Sequence, residues 1–101
     1  MLNKVEARKY LLKSLNSGNF YVSSHAKAEM EKRNFDVADA AYIIKHGNIE
    51  SISWNEKFCN WEIEIEGEDL EGMGLTLQIG LDLKKGSLLL ITGHSPRFKE
   101  I

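Results

Sequence analysis

The chain has one cysteine, Cys59, and one proline, Pro96, in 101 residues. A lone cysteine cannot close an internal disulfide, so the fold must rest on its apolar core. One proline and eight glycines exclude a collagen-like fibre or a proline-rich linker. No run approaches the roughly 18–20 consecutive apolar residues of a membrane-crossing helix. The opening Met1-Leu2-Asn3-Lys4-Val5-Glu6 lacks the apolar stretch and small-residue cleavage site of an export signal. A cytoplasmic protein without membrane attachment is the expectation. With no internal repeat or linker, residues 1–101 read as a single domain.

What is present is ordinary for a globular protein: 43% apolar and 28% charged residues. The net charge of −2 argues mildly against a nucleic-acid partner, whose footprint is usually a basic face. The charge is unevenly spread, however. Glu62, Glu64, Glu66, Glu68, Asp69 and Glu71 fall in twelve consecutive positions without a cation, and the rest of the chain is net positive. A polyphosphate partner is therefore not excluded.

The first half of the chain has helical spacing. Residues 3–16 place Val5, Leu12 and Leu15 on one stripe, broadened by Leu11, with Lys4, Arg8, Lys9 and Lys13 on the wet side. Asn16-Ser17-Gly18-Asn19 stops that helix, and Phe20-Tyr21-Val22 is a short β-prone run. Ser23 and Ser24 offer caps to a second helix over roughly 25–34. Asp36 opens a third, with Val37, Ala40, Ala41 and Ile44 inward and Gly47 at its end. The period then becomes alternating: around Ile52 and Trp54, through 61–66, through 75–81, and in Leu88-Leu89-Leu90-Ile91, which is apolar on both faces. Gly-rich 67–74 and Lys84-Lys85-Gly86 read as turns. The expectation is an α+β fold with three helices, and a short strand after the first, on one face of an antiparallel sheet of about four strands. Residues 88–94 should form an interior strand.

Phosphate-binding glycine loops, G-x-S-x-G and nucleotide fingerprints are absent. His25, His46, Cys59 and His94 are too far apart in sequence for the close ligand pair that zinc sites usually show, so no metal and no cofactor is expected. Cys59 reads as a half-buried small hydrophobe, and Trp54 and Trp61 as core anchors. Two stretches carry chemistry. His25, Glu29 and Arg33 are four residues apart and share a helix face, a ridge suited to proton transfer beside phosphate binding. The same spacing also fits a solvated ridge with a Glu29–Arg33 ion pair. Thr92-Gly93-His94-Ser95-Pro96-Arg97 brings a hydroxyl, an imidazole and a guanidinium to a strand end, which equally suits a polar chain exit. Glu62, Glu64 and Glu66 read as a solvated sheet face or one that meets a basic partner.

His25-Ala26-Lys27-Ala28-Glu29-Met30-Glu31-Lys32-Arg33, followed by Asp36-Val37 opening a helix that ends at Gly47, resembles the H-A-x-x-R-M-x-x-R opening of a bacterial domain-of-unknown-function family. Thr92-Gly93-His94-Ser95-Pro96 takes the place of that family's closing T-x-Y-x-P strand. The resemblance spans about residues 20–97. The family looks related to the RelE-like and MqsR-like ribonuclease toxins of bacterial toxin–antitoxin pairs. The helix and Leu15-Asn16-Ser17-Gly18 turn before the short strand also look like the MqsR type. Glu29 stands where the family pattern has its first arginine, and His94 where it commonly has tyrosine.

The resemblance implies a metal-independent endoribonuclease acting on mRNA, neutralised by a protein antitoxin that in this group is often small and zinc-containing. His25 and His94 would then move protons, Arg33 and Arg97 would hold the phosphate, and Lys27 and Thr92 would assist substrate binding. His25 and His94 are expected to face a common cleft. The alternative is a non-catalytic protein-binding module on the same scaffold, favoured by Glu29 and the net charge.

Overall fold

Each helix starts at a side chain that captures its orphan N–H groups. In α1 (Lys4–Asn16) Asn3 accepts the Glu6 N–H at 2.8 Å, and the Glu6 carboxylate accepts the Asn3 N–H at 3.1 Å. Strand β1 (Phe20–Val22) follows Gly18, whose φ of +78° lets the chain reverse. Ser23 caps α2 (Ser24–Arg33), which ends on Asn34 in the left-handed conformation. Asp36 and Asp39 form a reciprocal box at the head of α3 (Val37–His46). A meander follows: β2 (Asn48–Asn55), β3 (Asn60–Glu68), β4 (Gly74–Asp82) and β5 (Ser87–His94). The structure is a computed structural model that describes residues 1–94. Arg97, one of the four residues the resemblance assigns to catalysis, lies outside the described residues.

The fold class is α+β as expected, but the described residues form a sheet of five strands that is mixed rather than antiparallel. Its order is β1-β5-β4-β3-β2. β2 to β5 pair antiparallel in sequence, whereas Phe20, Tyr21 and Val22 lie parallel to Leu88, Leu89 and Leu90. The parallel pair is sterically accessible because everything from α2 to β4 serves as its crossover. β5 is consequently interior, between β1 and β4, as its apolar run predicts.

The core lies between the helices and one sheet face. Ala7 and Leu11 of α1, Ala26 of α2, and Ala40, Ile43 and Ile44 of α3 are buried with Ile63, Ile65, Leu77, Ile79, Leu81, Leu88 and Leu90. Of the expected stripe of α1, Leu11 is buried and Leu15 packs against the core, but Val5 is 81% exposed, and Ala7 and Ser14 complete the inward face. Small residues allow this closer approach. The buried Ser14 hydroxyl donates to the Gly86 carbonyl at 3.0 Å, so its burial leaves no orphan. Likewise α3 turns Ile43 inward, leaving Val37 exposed.

Arg8 is the larger departure, being half-buried rather than on the wet side. Its guanidinium donates to the Ile44 carbonyl at 2.8 Å and to the Gly47 carbonyl. It thus closes the C-terminal end of α3, where unpaired carbonyls and the helix dipole favour a cation. Trp54 is not a core anchor either. It is 48% exposed and meets Trp61 edge-on at 5.2 Å, and only Trp61 packs on the core. Cys59 is exposed at the β2–β3 turn with φ +51°, correcting its half-buried reading.

Candidate functional site

Thr92 and His94 owe their orientation to a β-bulge. On β4, Ile79 faces Leu90 while the adjacent Gln78 faces Thr92, which leaves Ile91 as an extra residue. Strict alternation from the buried Leu88 and Leu90 would send Thr92 and His94 into the core. The bulge reverses the parity. Gly93 faces the core instead, and a Cβ there would lie 2.5 Å from the Phe35 ring. Thr92 and His94 therefore stand on the face of the sheet that the helices leave uncovered. Their cross-strand partners are Gln78 and Thr76, which in turn face Glu64 and Glu66 on β3. An imidazole, hydroxyls, an amide and carboxylates are thus laid out in two rows across three strands.

The second stretch lies on α2. Its cap is Ser23, and its inward residues are Ala26, buried, and Met30, partly buried. His25 and Lys27 are exposed in the first turn. Glu29 and Arg33 form the ion pair that their spacing allows, with Nε to Oε1 at 2.7 Å. The hydrogen bond from Arg33 holds the Glu29 carboxyl below its ordinary range, reinforced by the charges of Arg33, Lys32 and His25. A phosphate at Arg33 would have to share the guanidinium with this carboxylate.

The two stretches meet through one serine. The Ser23 N–H donates to the Leu90 carbonyl at 3.0 Å, and the Ser23 hydroxyl donates to the Ile91 carbonyl at 2.8 Å. The same oxygen accepts the Ala26 N–H at 3.0 Å. Ser23 therefore pins the start of α2 to the bulge of β5, two residues before His25 and one residue before Thr92. α2 packs along β5 as a whole. Within the described residues, His25, Lys27 and Arg33 ride on the helix layer. Thr92 and His94 stand on the opposite face of the strand that the helix contacts, so the common cleft expected for His25 and His94 does not follow from this geometry.

The acidic row is a half-buried sheet face. Glu62 accepts from the Asn55 amide at 2.7 Å and Glu64 from the Gln78 amide at 3.2 Å. A hollow of about 250 Å³ lined by Tyr10, Lys13, Ser17, Asn19 and Lys85 sits at the other end of β5, by Gly86. No three metal-ligating side chains gather among the described residues. No helix among them is long and apolar enough to cross a membrane. Sequence reasoning missed the bulge, Gln78, Thr76 and the Ser23 junction. The glycine at 93, between two polar residues at a strand end, was the one available signal. No family model matches the chain, and neither curated proteins nor solved structures give a match.

Proposed function

We propose that this chain is a metal-independent endoribonuclease of the toxin type, cleaving mRNA and held in check by a protein antitoxin. The observation that supports it is the Ser23 junction, which ties the start of the helix bearing His25 to the bulge of β5, the strand whose uncovered face bears His94. Cleavage without a metal needs a base for the ribose 2′-proton, an acid for the leaving oxygen and cations for the phosphorane. In this reading His94 and His25 exchange the protons, since imidazole does so near neutral pH. Arg33 and Arg97 hold the phosphate, Lys27 adds a positive charge, and Thr92 offers a hydroxyl to the ribose or phosphate. Glu29 orients Arg33, at the cost of part of its charge.

The test is incubation of the purified chain with a defined mRNA in the presence of a chelator, with cleavage sites read by primer extension. His94→Ala and His25→Ala should each lower the rate on the order of 10²–10⁴-fold, the usual worth of one acid–base group. Growth arrest on induced expression in a bacterium should fall in parallel. Wild-type cleavage no faster than background, or equal rates for all three proteins, overturns the reading. A second reading, a protein-binding module without catalysis, is supported by the Glu29–Arg33 pair and by the acidic row on the sheet face that carries His94.

A further inference from the structure

Charge is divided between the two layers of the molecule. Among the described residues the strands carry Glu50, Glu62, Glu64, Glu66, Glu68 and Asp82 and no lysine or arginine. The lysines and arginines of residues 1–94 lie on the helices and in the β2–β3 and β4–β5 turns. The sheet face without helices is therefore acidic. It is also partly apolar. Tyr21, 57% exposed, pairs with Leu89, 38% exposed, and Leu89 pairs with Gly80. Ile91 reaches the same glycine, where an added Cβ would lie 3.6 Å from its Cδ1. Gly80 in turn faces Glu62.

One line across the sheet thus runs from an apolar patch, over a glycine, to a column of carboxylates. The Asn60 side chain lies beside Gly80, and its Oδ1 is buried without a hydrogen-bond partner. An orphan acceptor of this kind is rare and stabilised by any donor that reaches it. Strands lie about 4.8 Å apart, so the patch and the carboxylate column are separated by about 10 Å, the width of one helix.

We propose that this face docks an amphipathic basic helix of a partner protein. Its apolar stripe would cover Tyr21, Leu89 and Ile91, and its lysines or arginines would reach across Gly80 to Glu62 and Glu66. Long basic side chains suit that arrangement, because their stems cover apolar surface while their heads reach the carboxylates. The inference deepens the protein-binding reading and does not depend on RNA cleavage. It places the partner on the sheet face opposite the helices, across the Tyr21–Leu89–Gly80–Glu62 line.

The probe is a synthetic 18-residue helix of leucine and lysine, titrated into the isotope-labelled full chain and followed by backbone amide shifts. Shifts should map to Tyr21, 62–66 and 89–92. A lysine-only peptide of equal charge should bind at least about tenfold more weakly. Glu62→Gln combined with Glu66→Gln should weaken the leucine–lysine peptide similarly, and so should Leu89→Ser, each with an unchanged circular dichroism spectrum. RNA cleavage measured on the Glu62→Gln/Glu66→Gln protein separates the two ideas, since neither residue belongs to the proposed catalytic set. Shifts confined to the helices overturn the proposal. So do equal affinities for the two peptides or for the variants, RNA crosslinks concentrated on β3, or a concentration-dependent dimer that buries this face.

Discussion

Gly93 shows how one missing methyl group sets the orientation of its neighbours. Its core side is occupied by the buried Phe35 ring, so an alanine Cβ would stand 2.5 Å from Cζ. We expect Gly93→Ala to destabilise the protein by about 1–3 kcal/mol, the usual cost of overpacking, less a few tenths recovered from the stiffer unfolded chain. Urea denaturation measures it. Adding Phe35→Leu should restore part of the loss relative to Phe35→Leu alone, because the two sites share one clash. An unchanged midpoint for Gly93→Ala would mean that the ring does not sit over the strand. Glu29 makes the second prediction at this scale. Its folded pKa is lowered by Arg33, so its contribution to stability is complete above the unfolded carboxylate pKa of roughly 4.3 and is lost as pH falls through the folded value. Glu29→Gln should therefore flatten the acid limb of stability against pH while leaving its neutral limb parallel to wild type. Carboxyl carbon shifts across the same range would show the depressed titration directly.

Among the elements, the last turn of α3 depends on a residue 36 positions before Ile44. Arg8 donates to the Ile44 and Gly47 carbonyls and so replaces water at the C-terminal turn. Arg8→Ala should cost about 1.5–3 kcal/mol, the scale of hydrogen bonds from a charged donor. Arg8→Lys should recover only part, since an ammonium cannot present the guanidinium fork to two carbonyls. Faster amide exchange confined to the last turn of α3 would identify the cause; uniform acceleration would point to global loss instead.

The element scale also explains what was legible. Caps, turns and alternation are local, so Ser23, Asp36, Gly18 and Glu62–Glu66 revealed three helices and the meander. Arg8 was placed on the wet side because its acceptors lie on another helix. In α1 the pattern shows Leu11 and Leu15 but not Ala7 and Ser14, which are inward for closeness rather than hydrophobicity. The parallel pairing of β1 depends on an edge that exists only after β5 has formed. At the site, the residue types and their two stretches were readable. The orientation of Thr92 and His94 was not, because Leu88-Leu89-Leu90-Ile91 is apolar at every position and conceals where the bulge breaks the period.

At the scale of the whole molecule, the N-terminal and C-terminal halves of the candidate site are joined by a side chain with two tasks. The Ser23 oxygen accepts from Ala26, capping α2, and its proton goes to the Ile91 carbonyl at the bulge. The tasks are separable by substitution. Ser23→Thr keeps both, and its stability should stay within about 0.5 kcal/mol of wild type. Ser23→Ala loses both and should cost about 0.5–2 kcal/mol, the range for a deleted cap. Ser23→Asp retains an acceptor for Ala26 but brings no proton to Ile91, and its carboxylate is repelled by that carbonyl. It should therefore leave α2 helical while loosening the helix from β5, seen as faster exchange at the Ile91 and Thr92 amides with protected amides over Ala28–Lys32. If RNA cleavage uses residues of both α2 and β5, the rate for Ser23→Asp should fall further than its stability does, because a displacement near 1 Å is enough to lose on the order of 10²-fold. Equal, small losses in rate for Ala and Asp would show that the junction carries stability alone.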